Sequence, residues 1–263
     1  FTGPEALQRR TDVPFLARVG ANESGFGPSP KVIEAIAAAA GEVWMYGDPE
    51  IHDLKAALAA HLDIPSANLA VGEGIDGLHG LIARLITEPG DVAATSLGAY
   101  PTFNYHVAGF GGRIVAVPYS GHHEDLGALV AAARRERAKV IYLSNPDNPM
   151  GTWWSATEIE RFVADVPEET LILLDEAYCE TAPAGTLPEL DIARPNLIRT
   201  RTFSKAYGLA GMRVGYAIGE AGFIKAFDKV RNHFGVTRLS QAAAMAALRS
   251  EEHTSELQSH SDL

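Results

Sequence analysis

The sequence predicts an α/β domain, a three-layer α/β/α sandwich on a mainly parallel sheet. Short β-branched runs recur along the chain and stay apolar throughout, the pattern of strands covered on both faces. Segments with apolar residues three and four apart separate most of them, as helical crossovers between parallel strands require. At 263 residues and 46% hydrophobic, the chain is long enough for one large core.

The elements follow in order. "SPKVIEAIAAAA" opens on Ser29 and Pro30, a cap and a first-turn proline, and reads as a helix, as does "PEIHDLKAALAAHL". The expected strands are "NLAV" (68–71), "DVAATS" (91–96), "RIVAVP" (113–118), "KVIYLSN" (139–145), "TLILLDE" (170–176), "NLIRTRTF" (196–203) and "RVGYAI" (213–218). Helical patterns such as "LGALVAAARRERA" and "SATEIERFVADV" lie between them, and no internal repeat is present. The end, "EEHTSELQSHSDL" (251–263), holds only two leucines, reads as a disordered tail and resembles translated adaptor sequence more than native protein. A first residue of Phe implies an incomplete or processed start.

A net charge of -11 argues against wholesale binding to nucleic acid or an anionic membrane, so small-molecule chemistry is expected. The single cysteine, Cys179, excludes an internal disulfide framework and reads as a packing residue. Neither a signal peptide nor a spanning segment is apparent, which makes the cytoplasm the expected location. His122 and His123 lack any metal-ligand pattern around them.

Four motifs carry chemistry. "GEGIDG" (72–77) has dinucleotide-fingerprint spacing, yet the acid about twenty residues on, Asp91, precedes its strand instead of ending one. The milder readings are a glycine loop whose amides hold one phosphate at a helix start near Asp76, or a plain tight turn. "NPDNPMG" (145–151) sets two Asn-Pro turns at a strand's carboxyl end, where open α/β sheets bind ligands. "LLDEAY" (173–178) puts Asp175 and Glu176 directly after a buried run, where a charge needs a cationic partner or an exposed strand end. "TRTFSKAYGLAGMRVGY" (200–216) carries Lys205 beside Thr202 and Ser204, with Arg213 following the small-residue stretch "GLAG". An amine for a Schiff base, a strand-end acid, polar groups for a ring oxygen and a set of phosphate donors together fit pyridoxal 5'-phosphate (PLP).

With these motifs the sequence resembles the fold-type I, class I/II aminotransferases, most closely the histidinol-phosphate aminotransferase-like branch, from "ANESGFGPSPKVIEAI" to "SQAAAMAAL". The resemblance implies an N-terminal arm (1–28), a PLP-binding large domain of the aspartate aminotransferase kind (29–250), and a small C-terminal domain that is largely missing. It makes Lys205 the Schiff-base lysine and proton carrier, pairs Asp175 with the pyridine nitrogen, and gives Asn148 and Tyr178 the ring hydroxyl. Phe103 is expected to stack on the ring, with Tyr100 as the alternative. Gly74, Ile75 and Asp76, with Thr202, Ser204 and Arg213, hold the phosphate, and Tyr46 reaches the neighbouring subunit's phosphate in a homodimer. Met150, where the family's motif has threonine, and Ile75 and Gly77 depart from the usual pattern. The implied activity moves an amino group between an amino acid (histidinol phosphate and aromatic amino acids included) and a 2-oxo acid. A decarboxylase or lyase of the same fold, an NAD-dependent enzyme using "GEGIDG", and a non-catalytic fragment or regulator domain are the alternatives.

Overall fold

The structure, a computed structural model, describes residues 2–11, 13–17 and 20–250; the expected tail at 251–263 lies outside the described residues. Each strand is a short stretch that the hydrophobic pattern marks, its bounds moved by a residue or two, with β1 and β7 running one glycine beyond the expected end: β1 (Leu69–Gly72), β2 (Val92–Ser96), β3 (Arg113–Val117), β4 (Val140–Ser144), β5 (Leu171–Asp175), β6 (Leu197–Thr202) and β7 (Gly215–Gly219). They form one sheet in the order β1-β7-β6-β5-β4-β2-β3. The five strands from β6 to β3 are parallel, and β7 runs antiparallel to both neighbours.

Local chemistry sets the helix ends. The Ser29 hydroxyl accepts the Lys31 amide in front of α2 (Pro30–Ala39), whose first residue is proline. After α3 (His52–Leu62) comes α4 (Gly74–Ile86), preceded by Glu73, which makes no side-chain cap. The short α5 (Thr102–Gly109) is followed by α6 (Leu126–Glu136), capped by the Asp125 carboxylate at the Ala128 amide. Ser155 and Glu158 close a reciprocal capping box on α7 (Ala156–Asp165). Downstream lie α8 (Ala221–Ala226) and α9 (Arg238–Leu248), and α1 (Pro4–Thr11) precedes all of these helices.

Period-two alternation then builds the layers. From β4 and β5, Val140, Tyr142, Leu171 and Leu173 turn toward a cluster with Leu78, Ile82 and Phe103 of α4 and α5. Their alternates Ile141, Leu143, Ile172 and Leu174 pack on Leu129 of α6 and on Ile159 and Phe162 of α7. On that second face, Val32 of α2, Leu54 and Leu58 of α3, and Ala243 of α9 cover β1 and β7. Full burial of such a side chain contributes about 1.5–3 kcal/mol, and truncating Ile172 to alanine would cost about 2–5 kcal/mol. Among the described residues, no helix is long and apolar enough to cross a membrane.

Candidate active site

Parallel strands bring their carboxyl ends to one edge. Ser144 pairs with Asp175 and Asp175 with Thr200, so β4, β5 and β6 deliver three polar side chains in a row. Above them is a cavity of about 290 Å³, on whose wall Lys205, Arg213, Asn148 and Tyr178 converge from three loops.

One end of the cavity suits an anion. With no side-chain cap from Glu73, the first amides of α4 lack an intrahelical partner, and Ile75 and Asp76 line the cavity. Gly74 has φ +77, and a Cβ there would collide with the Arg213 guanidinium, so this glycine lets the arginine reach the helix end. A Cβ at Gly215 would stand 2.8 Å from the Arg201 carbonyl and 3.1 Å from the Ile75 nitrogen, so close packing of α4 on β7 needs that glycine. Arg213 Nη1 donates to Ser204 Oγ at 3.4 Å and to the Ala210 carbonyl at 3.1 Å, while Thr202 Oγ1 accepts the Ser204 amide and donates to Ser204 Oγ, both at 3.0 Å. The helix starts two residues before the expected Asp76, whose carboxylate pairs with His106 at 2.9 Å.

The other end holds the acid. Asp175 lies buried against the α4–α5 layer, and burial pushes its carboxyl up to about 6, while the Tyr142 hydroxyl at 2.8 Å and the Ala177 amide at 3.0 Å pull it down. His79 approaches the same oxygen at 4.0 Å; burial drives its pKa down to about 3, so it is neutral. The cationic partner expected for a strand-end acid goes to the next residue instead: Glu176 takes both Arg199 and Arg201. Between the two ends, Lys205 Nζ donates to the Ala21 carbonyl at 2.9 Å and lies 5.6 Å from the Tyr178 ring centre. Partial burial holds its pKa below the usual lysine range, although Asp175 and Glu23 act the other way.

The double turn, with both Asn–Pro bonds cis, presents one asparagine to the cavity and keeps the other for the fold. Asn148 Nδ2 donates to the Tyr178 hydroxyl at 3.0 Å, whereas Asn145 ties the turn to Trp154. Asn22 Nδ2 donates to the same phenolic oxygen at 3.0 Å, a partner that no local pattern in the arm announces.

One sequence expectation, Phe103 as the residue stacked on the ring, is corrected here. Phe103 is fully buried, stacked on Tyr142 with ring centres 5.4 Å apart, and does not line the cavity; the aromatic wall is Tyr100. The reason is that α5 begins at Thr102, which turns Phe103 inward and leaves Tyr100 in the segment ahead of the helix. Tyr46 is 74% exposed, stacks on Phe234 at 4.5 Å and does not line the cavity. Asp91 Oδ2 accepts the Glu88 amide at 2.9 Å in the turn before β2, so the dinucleotide reading lacks its acid. Cys179 is buried, with burial driving its thiol well above the usual range, and no group of three metal-ligating side chains occurs among the described residues. Tyr142 and His79, both acting on Asp175, escaped sequence reasoning, since only the sheet register and the helix packing bring them there.

The chain is similar to known proteins in sequence and fold. The family model for aminotransferase class I and II matches residues 17–262. A histidinol-phosphate aminotransferase of Moorella thermoacetica is 36% identical over 95% of this chain, which spans 65% of that protein's length. An aromatic amino acid aminotransferase of Mycolicibacterium paratuberculosis is 41% identical over 95% of the chain and 71% of its own length. The crystal structure of a histidinol-phosphate aminotransferase from Sinorhizobium meliloti, in complex with pyridoxal-5'-phosphate, superposes with a TM-score of 0.96 at 58% identity, covering 98% of this chain and 71% of that one. The cavity, the amine within it and the fold around it therefore have one common explanation: the chain belongs to the class I and II aminotransferase family.

Proposed function

We propose that this chain carries the PLP site of an aminotransferase that moves an amino group between an amino acid and a 2-oxo acid. The observation that carries the reading is one cavity with an amine, a buried acid and an anion clamp in separate positions on its wall. Bound there, PLP supplies an electron sink for the pair left on the substrate's α-carbon when its proton departs.

The residues present fit that group. Lys205 Nζ would hold it covalently; Asp175 would meet its ring nitrogen and keep that nitrogen protonated, while the Tyr178 hydroxyl, oriented by Asn148 and Asn22, would meet the ring oxygen. Arg213, Ser204, Thr202 and the amides of Ile75 and Asp76 would take the phosphate, with Gly74 giving the arginine room and Tyr100 as the aromatic wall. With its pKa below the usual lysine range, the Lys205 amine can take a proton from the substrate's α-carbon and return it. Donors with an imidazole or aromatic side chain follow from the named relatives. A homodimer belongs to the reading, with exposed Tyr46 and its stacking partner Phe234 directed at a second copy, as does a cytoplasmic location.

The test is borohydride reduction of the chain incubated with PLP, followed by peptide mapping. The label is expected on Lys205, and Lys205→Ala should fold normally, lose the label and lower amino transfer by at least about 10⁴-fold. A label on another lysine, or unaltered transfer in the variant, overturns the assignment.

A further inference from the structure

A second group of buried acids lies beneath the Asn145–Gly151 turn. Glu124, in the loop between β3 and α6, is 1% exposed, and its Oε2 accepts the Ser144 amide at 3.3 Å. Its carbonyl accepts the Trp154 indole N–H at 3.2 Å, and in the same loop the His122 carbonyl accepts the Thr152 hydroxyl at 3.0 Å. Asp147, on the turn itself, accepts the Tyr119 hydroxyl at 3.0 Å and the Met150 amide at 3.2 Å. Glu124 Oε1, Asp147 Oδ1 and the Ser96 hydroxyl at the end of β2 remain buried without a hydrogen-bond partner.

Two buried carboxylates in one place cannot both be charged cheaply. Burial, then Asp147, then Asp175 push Glu124 up to about 8, while the Ser144 amide pulls it down. The groups facing it are Asp147 on the turn, Ser96 on β2, Asp175 on β5, and the phenols of Tyr119 and Tyr142; its neighbour Asp125 caps α6, and the His123 ring lies against Trp154. At neutral pH Glu124 therefore keeps its proton, and its bond to Ser144 joins the end of β4 to the loop before α6.

We propose that Glu124 is a positioning residue for Asn148: wedged beneath the Asn145–Gly151 turn, it sets the direction in which Asn148 meets the Tyr178 hydroxyl. It touches neither cofactor nor substrate and acts through the turn. Removing its proton sets a buried negative charge against the Asp147 carboxyl and loosens the turn, so the asparagine's hold on Tyr178 weakens on the alkaline side. The proposal rests on the functional reading above only in giving Asn148 a cofactor to hold.

Hydrogen exchange of the turn amides in the cofactor-free chain tests the brace directly. After correction for the intrinsic rate, protection of Asp147, Met150 and Gly151 in the wild type should fall between about pH 7 and about pH 9.5. Glu124→Gln, which keeps the shape without a titrating proton, should stay protected at both. Protection that holds in the wild type, or that falls equally in Glu124→Gln, overturns the proposal. PLP affinity then tests the route through Asn148: Glu124→Ala should weaken binding on the order of tenfold, and no further in an Asn148→Ala background. Additive losses overturn it; should Glu124→Ala not fold, the wild-type and glutamine arms decide alone. If the wild-type chain takes no PLP at all, the functional reading fails while the exchange result still judges Glu124.

Discussion

Asp175 and Glu176 are neighbours in sequence, both buried, and have opposite fates. Strand alternation turns Asp175 toward α4 and α5, where Tyr142, the Ala177 amide and neutral His79 meet it. Glu176 goes to the other face, between Arg199, whose guanidinium also binds the Pro188 and Glu189 carbonyls, and Arg201. Burial alone would raise Glu176, but the two arginines outweigh it and hold its carboxyl below the ordinary range, whereas at Asp175 burial outweighs the Tyr142 and Ala177 hydrogen bonds and the weaker pull of Lys205. The contrast separates a carboxylate that holds the fold together from one whose charge waits for a ligand.

Substitutions at the two positions should separate the same way. Asp175→Asn should lower amino transfer roughly 10³-fold, since it cannot hold the ring nitrogen's proton. The fold should not suffer. Because the folded pKa of Asp175, about 6, stands above its ordinary 3.8, its contribution is fully present below 3.8 and is lost as pH rises to about 6. Melting temperatures of wild type and Asp175→Asn should therefore diverge in favour of the variant across that window; parallel curves would break the comparison. Glu176→Gln is expected to do the reverse. It leaves two buried guanidinium groups short of charge and should cost about 3 kcal/mol in denaturant unfolding, with PLP affinity per folded molecule unchanged. Tyr142→Phe sharpens the contrast with the smallest effect. Losing that donor should raise the Asp175 pKa by about one unit in the cofactor-free chain, read by carboxyl infrared or carbon NMR titration. An unmoved pKa would reduce Tyr142 to packing.

Much of this was legible in the sequence because its cause is local. Every strand overlaps its expected run, β1 and β7 each passing its end by one glycine, Ser29 and Pro30 marked α2, and the double Asn-Pro turn sat at a strand end as expected. Lys205, Arg213, Asp175, Asn148 and Tyr178 reach one cavity because parallel strands share a carboxyl edge. What stayed hidden depends on distance in the chain. Glu124 and Ser144 are twenty residues apart and Asn22 and Tyr178 far more, and nothing in their neighbours announces those contacts. The exchange of Phe103 for Tyr100 had a different source: "YPTF" names two aromatics, and only the start of α5 decides which one turns inward.

The register of β6 and β7 ties together the two ends of the loop that carries the amine and the guanidinium. β6 ends at Thr202 opposite Gly215, the first residue of antiparallel β7, so Lys205 and Arg213 ride on one loop whose two ends are hydrogen-bonded together. The span between amine and guanidinium is measured out along a single closed stretch of backbone. On the proposed function the loop would work as a caliper: a ligand would be gauged by its length from carbonyl carbon to anion, and inserting or deleting even one residue in 203–214 would recalibrate the instrument without touching either jaw.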